Sequence, residues 1–251
     1  MSKFKDHHTG DVNYNSQGLR MTILEYRGVR NVDISFKDGS LIKNCSYSNF
    51  KKGIINSYLY PSVCGVGYIG YDHRNENLRI KKSYQSWVYM LKRCYIKNAK
   101  NRVYQNCKVC DEWLCYLNYE KWIDENYYYY IDNSQMNLDK DILIKGNKIY
   151  CPNACVFVPQ NINKLFTKSN KTRGNLPIGV YKVQNGNKYA AHLNINNRLV
   201  NLGSFNTVEE AFAAYKVAKE NEIKRVADEY KDKIPQKLYE AMYKYKVEIT
   251  D

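Results

Sequence analysis

Two pairs of cysteines and one long acid-free stretch are the parts of this sequence whose residue types and spacing could do chemistry. Cys107 and Cys110 are separated by two residues, Cys151 and Cys155 by three. Thiolates at such spacing can point at one tetrahedral ion, so the four are candidate ligands of a structural zinc. The alternative is plainer: free cysteine behaves as a small, readily buried hydrophobe. The second feature is electrostatic. No Asp or Glu occurs between Asp141 and Glu209, yet Lys145, Lys148, Lys164, Lys168, Lys171, Arg173, Lys182, Lys188 and Arg198 all fall in that window. A solvated surface normally mixes both signs. Cations interleaved with Tyr, Asn and Gln, with no carboxylate to repel phosphate, suit a surface that meets a polyanion.

The whole chain points the same way. Its 251 residues carry 39 Lys+Arg against 25 Asp+Glu, a formal charge of +14. A basic protein of this size most often meets nucleic acid; the bland reading is a soluble basic enzyme. Hydrophobic residues at 44% and aromatics at 14% suffice to build cores, which excludes wholesale disorder. No run approaches the roughly 18 apolar residues of a membrane span, so no membrane partner is expected. The first residues hold no apolar stretch and do not read as a signal peptide. The eight Cys then read as reduced thiols or metal ligands of a cytoplasmic protein, not as a disulfide framework.

These residues need elements to position them, and the length suggests two or three small domains. Positions 1–70 read as a small β module, with strands over 21–26 and 32–36 and a turn at Lys37-Asp38-Gly39-Ser40. Lys37, Lys43, Lys51 and Lys52 cluster around its turns, so it touches DNA or a protein partner, or is a scaffold with a solvated basic face. Positions 71–82 read as a linker. A helix capped by Ser83 then buries Trp87, Met90, Leu91 and Cys94, and a second over 111–125 is anchored by Trp113, Leu117 and Trp122. The tyrosines from Tyr127 to Tyr130 pack beside the helix or stack on bases.

From 138 the period changes. A strand over 138–143, a turn at 144–147, a strand over 155–158 and a short helix over 160–166, opened by Pro159, make a β-turn-β-α unit. A basic linker follows at 169–175. Three strands come next, over 179–183, 188–195 and 198–202, turning at Asn185-Gly186 and Asn196-Asn197. Thr207 and Glu210 form a capping box for a helix that lays Ala211, Ala214, Tyr215 and Ala218 on the sheet. Pro235 separates a last helix over 236–245. The fold class expected is α+β: a small N-terminal β module (1–70), a ββα unit (83–168), and a C-terminal three-stranded antiparallel sheet packed on a helix (176–251).

Positions 178–218 resemble the DNA-binding domain of the apetala / ethylene-response-factor type. The residues that carry the likeness are Gly179-Val180-Tyr181, Lys188-Tyr189-Ala190-Ala191-His192-Leu193, Leu202-Gly203-Ser204-Phe205-Asn206-Thr207 and Glu210-Ala211-Phe212-Ala213-Ala214-Tyr215. The resemblance implies a three-stranded sheet laid in the major groove of double-stranded DNA, a groove that admits a strand ribbon. The outer-face candidates are Tyr181, Lys182, Lys188, His192, Asn194, Arg198 and Asn201. Tyr181, Asn194 and Asn201 stand where the plant pattern usually has Arg or Trp, which removes the plant-type target sequence. His192 reads as a groove contact or a surface residue.

Positions 86–166 resemble a group of phage HNH-type proteins, through Trp87, Met90, Arg93-Cys94-Tyr95, Val109-Cys110-Asp111-Glu112-Trp113, Leu138-Asp139, Gly146-Asn147 and Cys155-Val156-Phe157-Val158. In that family an Asp on the first strand holds a divalent metal, the adjacent His activates water, and a helix residue completes the metal site. Here Asp139 and Asn163 match the Mg²⁺ ligands. Lys140 stands where the His would be, and Ala154 replaces the middle Asn. A lysine at its usual pKa of about 10.4 is protonated and is a poor base; it could bind the scissile phosphate instead. The resemblance implies a homing-type HNH endonuclease using Asp139, Lys140 and Asn163, working in a host cytoplasm if phage-encoded. The other reading is a catalytically inactive DNA-binding regulator or anti-defence protein on the same fold.

Overall fold

Alternation of apolar and polar residues builds the first sheet of the protein. In the computed structural model, which describes residues 7–128, 136–167, 175–184 and 187–251, four strands run as an antiparallel meander. They are β1 (Val12–Tyr14), β2 (Arg20–Tyr26), β3 (Val32–Phe36) and β4 (Leu41–Cys45), in that order across the sheet. Met21, Ile23, Val32, Ile34 and Ile42 point to one side and are buried against Phe50 of α1 (Tyr47–Lys52). Ser46 caps α1, and Gly53 ends it at φ 66°, where a side chain would strike the Tyr14 carbonyl. The tyrosines Tyr129 and Tyr130, positions 169–174 of the basic linker and the Asn185-Gly186 turn lie outside the described residues.

After a 3₁₀ turn at Leu78–Ile80 comes α2 (Lys82–Tyr95), which buries Trp87, Met90 and Leu91 as its spacing requires. Ser83 does not cap it. It sits in the first turn, and its hydroxyl lies 2.8 Å from that of Tyr116. A second 3₁₀ stretch, Ala99–Tyr104, leads to β5 (Lys108–Val109). The helix expected over 111–125 is two, α3 (Asp111–Leu114) and α4 (Tyr116–Asn126), broken at Cys115, whose backbone is extended. The break rotates α4. Tyr119 and Trp122 are buried beside Trp113 and Tyr116 beside Trp87, while Leu117, an expected anchor, is 42% exposed.

The next strands, β6 (Met136–Asp139), β7 (Ile149–Tyr150) and β8 (Val156–Pro159), precede α5 (Gln160–Leu165). β6 pairs antiparallel with β8, from Met136 opposite Pro159 to Asp139 opposite Val156. β7 pairs parallel with β5. The C-terminal sheet follows: β9 (Val180–Lys182), β10 (Tyr189–Ile195) and β11 (Arg198–Phe205), antiparallel with β10 central, then α6 (Val208–Tyr230) and α7 (Gln236–Lys244).

Contacts sort the chain into two units, 1–125 with 148–152, and 126–147 with 153–251. The division runs through the segment read as one central domain: α2 to α4 belong to the first unit, the β6–β8–α5 piece to the second. The cause is α6, 23 residues long. Ala211, Phe212 and Tyr215, in its first half, pack on Val180, Ala191 and Leu193 of the sheet. Ile223, Ala227 and Tyr230, in its second half, pack with Leu238 and Met242 of α7 on Ile142, Val156, Val158 and Ile162. Each buried Val, Leu, Ile, Phe or Met among them contributes about 1.5–3 kcal/mol, so one helix backs both the C-terminal sheet and the ββα piece. Among the described residues no helix is long and apolar enough to cross a membrane.

Candidate nucleic-acid interface

The strands β9–β11 put alternate side chains on opposite faces, so register decides what the outer face carries. Ala191 is opposite Val180, and both are buried against α6. Tyr181 and Ala190, one step along, are therefore opposite each other on the outer side. There the Tyr181 ring, 48% exposed, lies beside that of His192, with centroids 5.2 Å apart and planes tilted by 33°. His192 is opposite Asn201, and Asn194 is opposite Leu199. Lys188, one residue before the inward Tyr189, alternates to the same side and is exposed. Tyr181, Lys188, His192, Asn194 and Asn201 thus share one face.

Lys182 and Arg198 do not follow them. Lys182 is opposite Tyr189 and Arg198 is opposite Ile195, and both partners pack toward α6. Each cation is exposed at the sheet's rim, with its Cβ leaving on the helix side. The ladder shifts between Ala191 and His192. Asn201 helps to hold that bulge, its Oδ1 accepting the Gly203 N–H at 2.9 Å. Asn196 and Asn197, at φ 51° and 61°, make the hairpin turn that their type favours. Leu199, 66% exposed and opposite Asn194, escapes the sequence reading. Its signal is an unbroken apolar pair, Leu199-Val200, on a strand that needs only one inward residue there. No Asp or Glu lies on the three strands.

The ββα piece places the other candidates. Asp139 ends β6, and its Oδ1 accepts the backbone N–H groups of Asp141 (2.8 Å) and Ile142 (2.7 Å), which bends the chain and stops the strand four residues short of the expected end. Burial, then the neighbouring Asp141 carboxylate, push the Asp139 carboxyl above its usual pKa; the two amides and Lys140 pull the other way without prevailing. Lys140 is buried. Its Nζ donates to the Asn147 carbonyl at 3.1 Å and lies 3.2 Å from Asp141 Oδ2, while Asn147 Nδ2 donates back to the Lys140 carbonyl at 2.7 Å. That exchange closes the 140–147 loop. Asn163 is half-buried in α5, and its carbonyl accepts the N–H of Phe166 in the helix's last turn.

Of the two residues that the resemblance gives to Mg²⁺, Asp139 and Asn163, only Asp139 carries a charge. One Asp139 oxygen already serves two amides. The nearby buried polar atom without a partner, Asn137 Nδ2, is a donor and offers no lone pair to a cation. Among the described residues no three of His, Cys, Asp and Glu gather as a metal cage. That holds for the cysteines too. Cys107 and Cys155 are buried, and Cys110 and Cys151 are half-buried. Burial pushes the Cys110 thiol pKa up, and the nearby Cys151 adds to the rise.

No protein-family model, curated protein or solved structure matches the chain.

Proposed function

We propose that the chain binds double-stranded DNA through the outer face of β9–β11. One observation carries the reading: an exposed sheet face with Tyr181, Lys188, His192, Asn194 and Asn201 together, on strands without a single carboxylate. Strands about 4.8 Å apart give a three-stranded sheet roughly 10 Å between outer strand axes. The major groove is about 12 Å wide. The face then meets base edges, and Lys182 and Arg198 at the rim reach the flanking phosphates. Titration of a labelled duplex over a range of salt concentrations tests this. Binding that weakens linearly in log salt supports it; no binding at low salt ends it.

A metal-dependent nuclease is the second reading, favoured by the order β6, β8, α5 with Asp139 closing the first strand and Asn163 on the helix. Incubation of supercoiled DNA with Mg²⁺ or Mn²⁺ separates the two. Nicking that disappears in Asp139→Ala supports the nuclease. Undiminished binding with no nicking leaves a DNA-binding protein alone.

A further inference from the structure

The chemistry of this face also names the base pair it reads, an inference that rests on the face entering the major groove. We infer that the sheet β9–β11 selects A·T-rich duplex, with Asn194 on adenine and Leu199 on the thymine methyl.

The width of the sheet changes along β10. β9 pairs with β10 as far as Ala191, opposite Val180, and a last backbone bond runs from the His192 N–H to the Gly179 carbonyl. Beyond it the sheet narrows to the β10–β11 ribbon, so the groove, which admits a two-stranded ribbon, takes in this end of the face deepest. Asn194 and Leu199 are opposite each other on this ribbon, two positions from the Asn196-Asn197 turn. No other described residue bonds the Asn194 side-chain amide. Its donor and acceptor match adenine N6 and N7 in a bidentate pair, whereas guanine shows two acceptors there. Leu199 is apolar and exposed. A single exposed leucine means nothing by itself. Opposite an unengaged amide, it meets what the groove offers beside adenine, the thymine C5-methyl group. Directly opposite residues have Cβ atoms about 5 Å apart, and base pairs rise by about 3.4 Å, so the pair spans one step or two.

The guanine-reading alternative lacks its residue. Arginine on O6 and N7 is the commonest specific contact to guanine. Arg198 is the one arginine of the three strands, and its register with Ile195 sends it to the helix side. Lys188 is on the outer side but just before β10, away from the ribbon. Asn201, the second amide, has its oxygen on Gly203 and keeps only its N–H donors for a base.

The test is competition binding by the full chain, at fixed salt, on equal-length duplexes. Alternating A·T duplex should bind about tenfold tighter than alternating G·C, within the range of one bidentate amide–adenine pair. An inosine·cytosine duplex should bind like G·C, because inosine keeps guanine's major-groove edge. Replacing thymine with uracil removes only the methyl and should weaken binding several-fold. Asn194→Ala should shrink the A·T preference, and Leu199→Ala should abolish the response to uracil. Both positions are exposed, and the uracil and inosine arms need no variant. Equal or tighter binding to G·C, or inosine·cytosine binding like A·T, overturns the inference while leaving DNA binding intact. Binding to none of the duplexes overturns the proposed function as well.

Discussion

Gly179 packs directly under the ring of Tyr215: a Cβ at Gly179 would overlap Tyr215 Cδ2, Cε2 and Cγ. The glycine also holds φ 78°, which a side chain resists. This contact seats α6 against the chain just ahead of β9. Gly179→Ala therefore combines overpacking with backbone strain and should cost about 2–4 kcal/mol. Gly146 has a similar φ of 80°, but a methyl group there would meet nothing within 4 Å, so Gly146→Ala should cost only the backbone part, about 1 kcal/mol. Denaturant midpoints of the two variants give the comparison. Equal losses would mean that the Tyr215 ring yields.

Thr207→Ala should destabilise the second unit by about 1 kcal/mol, the usual cost of a lost N-cap. Thr207 Oγ1 accepts the Glu210 N–H at 3.1 Å, and Glu210 Oε2 accepts the N–H groups of Asn206 and Thr207. Because the same helix backs the sheet and the ββα piece, the loss should appear in hydrogen exchange of both. Faster exchange confined to the first turn of α6 would show that the two halves open separately.

Asp139 gives a pH prediction. Its carboxyl is raised by burial and by Asp141, so the folded state holds the proton more tightly than the unfolded state. Stability from this group is then present in acid and lost as pH rises from the ordinary carboxylate value, about 3.9, through the raised one. Asp139→Asn keeps an oxygen for the Asp141 and Ile142 amides and removes the charge. The variant should be at least as stable as the parent at neutral pH, with the difference closing toward acid. Urea unfolding at several pH values measures it. A variant less stable at neutral pH would show that the site favours the charge.

What was legible in the sequence was local. The Thr207–Glu210 box, the two-asparagine turn and the β3 strand depend on neighbours a few positions away, and the structure has them as read. What was not legible depended on distant partners or on one side chain redirecting the backbone. Asp139 captures two amides and ends its strand at once. Cys115 breaks a helix whose spacing looked continuous, and there the chain bridges to Tyr68. β7 finds β5 some forty positions back, in parallel. The side taken by Lys182 and Arg198 follows from register, which composition does not encode. The reach of α6 past Ala218 into a second core united two pieces that read as separate.

The register also changes what salt should reveal. Each neutralised phosphate adds about 0.9 to the slope of log K against log salt. Lys188 leaves on the face of Tyr181, so Lys188→Ala should lower the slope by about 1. Lys182 and Arg198 leave on the helix side and meet phosphate only by reaching around the rim. Their single variants should lower the slope by less, and the triple variant by roughly 2 to 3. Lys237, exposed on α7, is the control, and Lys237→Ala should leave the slope unchanged. Anisotropy titrations across a salt series read the parent and each variant. A triple variant with the parent's slope would move DNA off this sheet. A larger effect from Arg198→Ala than from Lys188→Ala would instead mean that the duplex lies along the rim, not across the face.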